Sequence, residues 1–534
     1  MRKLRAQTLN RTLCCVIVLL GFSVTQAAKA QNFNHIAIFV ELADTKFGVP
    51  MAQTASVFNG MNSLSVERYF YEASAGKVSF ITHFPMVENE IYVVKLPYSW
   101  DTVWGFNADS NRYYFDWPRM IRDAALAVQD KLPADVNFDV NGDGIIDYIS
   151  FFLAVSVPDT WGEYGAWPSY GVGNINWFIE MPELNGLQFR SVAVNNWTVE
   201  YNTGVISRDM AREELGVMIH EILHTFGIGD YYYYDGESYN EIFSALGRWE
   251  IMGEGIWFPP SFPSAHVRSR LEWIEIEEIT EDGWYTLYRA NSGKSTGVAF
   301  KIRTNADPTG TQYIVLEYRH KGNPSDFTMQ PMLSVDNWGN LQWINEPVNL
   351  TQFDGAIYGS GLVIYRVNSD FSGNFFKDET ELMVFRPGGR HDTFSMRGLS
   401  ESYFSANVGR TAFTPNTDPF PFLTDGTRIT DIYITNISHA GETISFHFSR
   451  TGTVNIPEVE GASLKIYPNP ASDFVSIHAD FEIAKVEIFN TSGIRVFSEK
   501  SVNRISLQDF AEGVYFVRIY DNSGIAATQK LIVR

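Results

Sequence analysis

Cysteine is all but missing from this 534-residue chain: its two copies, Cys14 and Cys15, both fall in the first thirty residues. A chain trimmed of those residues has no thiol and no disulfide, so its stability must come from a large core and from bound ions rather than covalent staples. Positive charge is also scarce, with 41 Lys and Arg against 62 Asp and Glu and a net charge of −21. The first thirty residues hold five basic groups and no acid, so their removal takes the charge to −26. So acidic a surface would be repelled by nucleic acid and by anionic membrane surfaces, so no nucleic-acid partner is expected, and it would suit calcium binding. Beyond the N-terminal region no apolar run approaches the length of a membrane span, so no integral membrane segment is expected in the mature chain. What is present is 45% hydrophobic and 15% aromatic residues, enough for a sizeable core and suggestive of β-rich layers. The length predicts two to four domains.

The N-terminus reads as an export signal. Arg2, Lys3, Arg5 and Arg11 precede an apolar run from Leu13 to Val24, and Ala28-Lys29-Ala30 offers a small-x-small cleavage site before Gln31. The run is too short for a comfortable membrane span, so residues 1–30 are predicted to be a secretory signal peptide.

After it, apolar FNHIAIFVEL (Phe33 to Leu42) predicts a buried strand, and SVERYFYEASA (Ser65 to Ala75) a short helix ended by Gly76. Trp117 to Leu132 has helical periodicity, with Asp116 as N-cap and Pro133 beyond its end. A strand is expected over Tyr148 to Val157 and a longer helix from about Arg208 to Phe226. Alternating strands and helices predict an α/β or α+β domain over 31–282. From 283 the pattern changes to strands such as Trp284 to Tyr288, Tyr313 to Tyr318 and Leu362 to Val367, separated by Gly, Asn and Asp turns. Residues 283–450 are therefore expected to form a β-rich domain packed on the first. Residues 451–461 read as a linker, and 462–534 as a separate all-β sandwich.

The chemistry concentrates in His220-Glu221-Ile222-Leu223-His224-Thr225-Phe226-Gly227-Ile228-Gly229-Asp230. On a helix, positions i and i+4 share a face, so His220 and His224 aim two imidazoles at one point, as two ligands of a tetrahedral zinc ion require. Glu221 is not a natural third ligand on that face, but it can reach an attacking water and serve as general base and then acid. Gly227 ends the helix and lets Asp230 return as the third ligand, leaving a fourth position open. About twenty residues on, Ile251-Met252-Gly253-Glu254-Gly255 has the look of a methionine turn, with Met252 as an apolar floor beneath the metal. The expected fold of the first domain is thus metzincin-like.

These residues resemble the M6 family of peptidases, typified by immune inhibitor A, whose motif is HExxHxxGxxD. FNHIAIFVELAD, SVERYFYEASAGKVSF, WEIMGEGIWFPPSFPSAHVRSRLEWI and YIVLEYR followed by GSGLVIYRVN carry the looser part of the likeness, over roughly residues 33 to 450. It implies a secreted zinc endopeptidase acting on protein or peptide substrates. Relatives often begin with a pro-segment. Here the first strand starts almost at Gln31, so latency through an N-terminal propeptide is not expected. Tyr231 to Tyr234 either line the cleft or pack internally.

A second ion site is suggested by Asp139-Val140-Asn141-Gly142-Asp143-Gly144-Ile145-Ile146-Asp147. Oxygen ligands from Asp139, Asn141, Asp143, the Ile145 carbonyl and Asp147, with glycine at position six, follow the first part of an EF-hand loop and can wrap Ca²⁺. Position twelve is Ser150 instead of a bidentate Glu. Near the C-terminus, YPNP (Tyr467 to Pro470), IFNTSG, GVYFVR and KLIVR resemble the sorting domain of type IX secretion substrates. That resemblance implies export, transit of the outer membrane of a Gram-negative bacterium by the type IX machinery, and release or surface attachment, usually with loss of the domain. Two other functions fit the pattern. One is a catalytically inactive adhesin on a protease scaffold, which the intact Glu221 disfavours; the other is a zinc hydrolase of non-peptide substrates, which only the family resemblance disfavours.

Overall fold

A computed structural model describes residues 31–47, 51–107, 112–156, 170–172, 179–199, 215–233, 244–335, 341–451, 464–479, 482–490, 495–520 and 526–534. The expected signal peptide, the expected helix start over 208–214, Tyr234, most of the expected linker and residues 491–494 lie outside them. Two compact units result, divided between Thr451 and Gly452. The expected division at 282/283 falls within the first.

The first unit opens on the strand Gln31–Glu41, which runs parallel to Val78–His83 and Val93–Lys95 on one side and to Tyr148–Ser156 on the other. Val192–Val199 continues the parallel set, and Tyr170–Val172 closes the edge antiparallel. A central parallel strand is covered on both faces, which explains the unbroken apolar run IAIFV. Ala37 and Phe39 face a core that includes Phe58, Phe70 and the helix Leu215–Thr225. Ile36, Ile38 and Val40 face the opposite core, built with Met120, Ile121 and Ala124 of the helix Trp117–Val128. The sheet therefore lies between helical layers. Ser65 caps the helix Val66–Ala73, its hydroxyl accepting from Arg68 N at 3.1 Å. The helix at Trp117 ends at Val128, one turn before the expected Leu132, and its Asp116 side chain makes no capping bond, so Pro118 in the first turn is left as the start signal.

A buried polar cluster centred on His35 interrupts this core. His35 is fully buried, with Nδ1 3.0 Å from Thr82 Oγ1 and Nε2 2.8 Å from Ser150 Oγ on the two flanking strands. Burial, assisted by the neighbouring His83, lowers its pKa from 6.5 to about 3. The folded chain refuses a proton that the unfolded chain accepts, so stability is intact above about 6.5 and drains as pH falls towards 3. His35 alone is expected to remove about 2 kcal/mol between pH 7 and pH 5. Denaturant unfolding of the wild type and His35→Gln at both pH values checks this; an equal loss in the variant would refute it.

A five-stranded sheet follows, ordered Glu277–Glu278, Ala299–Arg303, Gln312–Arg319, Gly361–Asn368 and Leu382–Val384, four of its strands from beyond 282. The expected strands at 284, 313 and 362 all occur, each within a residue of its predicted ends. This sheet is also covered on both faces. Val315, Val363, Tyr365, Val367 and Leu382 join the same core as the helix Leu215–Thr225. Ile314, Leu316, Ile364 and Met383 turn the other way, against Leu287, Ile434, Ile444, Phe446 and Phe448 of a three-stranded sheet. Strand alternation thus welds the β-rich region to the α/β layer.

The second unit has its own core. Ile466, Val475 and Ile477 of a three-stranded antiparallel sheet pack with Val486, Ile488, Val517, Ile519 and Leu531 of a four-stranded one.

Candidate metal centre

The helix Leu215–Thr225 buries Met218, Ile219, Ile222 and Leu223 against the first sheet. Its end is set by Gly227, whose φ of +78° is left-handed; Gly227 N donates to His224 O at 2.9 Å. A side chain there would be strained, and glycine makes the reversal that brings the chain back past the helix end.

The reversal gathers the predicted ligands. His220, His224 and Asp230 offer ligand atoms that all lie within 4.8 Å of one another, and among the described residues no other group of three His, Cys, Asp or Glu side chains comes so close. His220 Nε2 is 3.0 Å and His224 Nε2 3.4 Å from Asp230 Oδ1. The opposite ring nitrogens are engaged by backbone: His220 Nδ1 lies 2.9 Å from Ile251 O, and His224 Nδ1 2.8 Å from Ile228 O. An Nδ1–H donated to a carbonyl leaves each Nε2 lone pair pointing at the shared centre, the usual outer-shell arrangement of a metal-binding imidazole.

Glu221 is 4% exposed, and its Oε2, 3.9 Å from His224 Nε2, is buried without a hydrogen-bond partner. Burial raises its pKa to about 7, against the opposing pull of His220 and His224. Burial disfavours charge on His220, yet the Asp230 hydrogen bond and charge outweigh it and lift that imidazole to about 9. Asp230 shows the reverse balance: burial pushes its carboxyl up, but the two imidazoles hold it far below the usual range. Four ionisable side chains compressed in this way, one with an orphaned buried oxygen, fit a bound cation and a water.

Met252 is fully buried in the same core cluster as the helix. Its turn reaches the site through main chain: Ile251 O meets His220 Nδ1, and Met252 O accepts from Tyr231 N at 2.7 Å. Of the four tyrosines, Tyr231 and Tyr233 are buried, donating to or sharing a hydrogen with Glu381 and Thr380 respectively, while Tyr232 is half-buried and stacks on His220 at 6.3 Å between centroids.

The candidate calcium loop is folded by its own hydrogen bonds. Gly142 and Gly144 adopt left-handed φ, and its acids accept from its own amides. Asp139 takes Gly142 N, Asp143 N and Gly144 N, Asp143 takes Ile145 N, and Asp147 takes Val140 N. Burial raises the Asp147 pKa to about 6 despite the Val140 N–H, and Asp139 and Asp143 add repulsion.

Several residues that hold the centre carried no local signal. Buried Glu250 accepts from Met252 N at 3.2 Å and from Ser264 N at 2.6 Å, pinning both ends of the segment after the motif. Glu317 and Arg319 occupy the inward face of their strand. Arg319 donates to Asp354, Trp249 O and Phe262 O, and Glu317 accepts from Ala265 N and Tyr365 Oη. Charges at alternate, inward positions of YIVLEYR were the one clue in the sequence.

With this geometry in hand, the comparisons with known proteins divide the chain. Residues 465–534 match the secretion system C-terminal sorting domain. The chain thus carries a type IX sorting domain, which implies interaction with that secretion machinery. It is a protein secreted from, or displayed on, a Bacteroidetes-type Gram-negative bacterium. No helix among the described residues is long and apolar enough to cross a membrane. No curated protein sequence matches the chain. Among solved structures, wild-type OgpA from Akkermansia muciniphila is similar at 10% identity and a TM-score of 0.26, covering 68% of this chain and 94% of that one. Catalytically inactive OgpA in complex with an O-glycopeptide substrate gives 9% and 0.25 over the same shares. The extracellular domain of BT4673 from B. thetaiotaomicron gives 11% and 0.11, over 46% of this chain and 38% of that one. At such scores these likenesses carry no argument about fold or activity.

Proposed function

We propose that this chain is a secreted zinc endopeptidase of the M6, immune inhibitor A-like type, with a metzincin-like site, hydrolysing peptide bonds in extracellular proteins. The observation that supports it best is the convergence of His220 Nε2, His224 Nε2 and an Asp230 oxygen beside a buried, unsatisfied Glu221 carboxylate. Two imidazoles and one carboxylate are a donor set of catalytic zinc sites, which keep a further position open. Zinc held there would acidify water and polarise the scissile carbonyl.

The protein's own groups then divide the work. His220, His224 and Asp230 hold the ion, and the carbonyls of Ile251 and Ile228 fix the two rings. Glu221 takes the proton of the attacking water on Oε2 and delivers it to the leaving amine nitrogen, so the carboxyl is regenerated as a carboxylate after each turnover. Burial disfavours the charged form of this group and so strengthens its hold on the proton it relays. Met252 serves as the apolar floor. The loop of Asp139, Asn141, Asp143, Ile145 and Asp147 is proposed as a separate Ca²⁺ site, supported by its oxygen spacing and the crowding of its three acids.

Elemental analysis of the purified protein, with casein hydrolysis measured with and without o-phenanthroline, tests the reading. About one zinc per chain and cleavage abolished by the chelator are expected, and the same analysis reads calcium. Absence of both zinc and cleavage would move the assignment to a surface adhesin.

A further inference from the structure

The third ligand poses a mechanical problem. Asp230 lies past the end of its helix, in a turn with two glycines, where the motif contributes its two imidazoles and the Ile228 carbonyl to its placement. The structure supplies a further restraint from residues about 150 positions away. Asn374 N donates to Asp230 O at 2.8 Å, and Tyr231 Oη donates to Glu381 Oε2 at 2.9 Å. The intervening segment is closed on itself: Asn374 and Leu382 exchange two hydrogen bonds, and Gly373 N donates to Glu381 Oε2 at 2.5 Å. It presses directly on the ligand turn, since a Cβ on Gly229 would stand 2.8 Å from the Phe375 ring.

Glu381 is 2% exposed and both of its oxygens are used. Oε1 receives His266 Nε2 at 2.8 Å and Arg270 Nη1 at 3.0 Å, both from the helix Ala265–Arg270 that follows the methionine turn. One carboxylate thereby joins the ligand turn, the segment behind the methionine turn and the second sheet, whose edge strand starts at Leu382.

We propose that Glu381 is a positioning residue of the metal centre, acting through Tyr231 to hold the Asp230 carboxylate at its ligating distance from the two imidazoles. The inference rests on the metallopeptidase reading and deepens it. Glu381 touches neither metal nor substrate. Its effect is to make the ligand set rigid, and outer-shell partners of this kind govern metal affinity by about 10–100-fold. A purely structural ion cluster would instead stabilise the fold and leave metal retention unchanged.

Two variants of the full chain separate these cases. Tyr231→Phe deletes one hydroxyl from a buried ring, and Glu381→Gln keeps the shape while removing the charge. Each is loaded with zinc to measure release to a chelating dye, loaded with cobalt(II) to record the visible absorption of the ligand field, and melted metal-free. Release faster by about 10-fold or more in Tyr231→Phe, with a changed cobalt band and a metal-free melting temperature close to wild type, is the expected result. Wild-type release and an unchanged cobalt band in both variants would overturn the inference, whatever their melting temperatures, and would leave the peptidase reading standing. A wild type that holds neither metal would overturn both, and that failure shows before any variant is made.

Discussion

Glu221→Ala is expected to keep its full complement of zinc and to lose about 10²–10⁴-fold in peptide hydrolysis, the contribution of a positioned general acid–base group. The two halves of this expectation come from different atoms. In the proposed site metal would be held by the Nε2 atoms and by Asp230, whereas Glu221 Oε2 stands 3.9 Å from His224 Nε2 and bonds to nothing. Truncation removes a buried carboxylate with a high desolvation cost and no hydrogen bond to lose, so the variant should fold at least as well as the wild type. Zinc stoichiometry and turnover on a quenched peptide are to be measured in one preparation. Retained turnover would remove Glu221 from the mechanism, and loss of zinc would make it a ligand.

Gly216→Ala is expected to be the most damaging small substitution in the same helix. Helix propensity alone would favour alanine by about 1 kcal/mol. Sterics decide otherwise, because a Cβ at Gly216 would stand 1.9 Å from Ile256 O and 2.6 Å from Ile256 C. The obstacle is backbone, not a side chain that can swing aside, so the cost lies at or beyond the upper end of the usual 1–3 kcal/mol for overpacking, about 3 kcal/mol or more. Ile256 follows directly on the turn whose Ile251 and Met252 carbonyls engage His220 and Tyr231. Relief of the clash therefore moves the floor of the metal centre, and zinc affinity should fall together with the melting temperature. A variant that melts and binds zinc like the wild type would show that helix and turn are not in this contact.

What could be read in advance was what is local. The i, i+4 spacing places His220 and His224 on one face in any helix, and Gly227 announces the reversal that returns Asp230. The apolar runs at 33–42, 313–318 and 362–367 specified buried strands because both of their faces are covered. Glu381 could not be assigned in this way. Its neighbours in sequence say only that a charge precedes an apolar strand, and its partners Tyr231, His266 and Arg270 come from two other segments. The same holds for Gly216, whose importance depends on which backbone passes over it. Helix ends were missed for a smaller reason: past Val128 the chain turns away while Leu132 still packs, so hydrophobic periodicity outlasts the helix.

The core shared across 282/283 bears on how such a chain can be inherited. A protein whose α/β layer and β-rich sheet bury the same residues cannot exchange one for the other by recombination, because neither face was shaped without its partner. The terminal seventy-odd residues close a core of their own. The sorting domain can therefore be inherited as a unit of its own, while the first unit travels as a single piece of some four hundred residues.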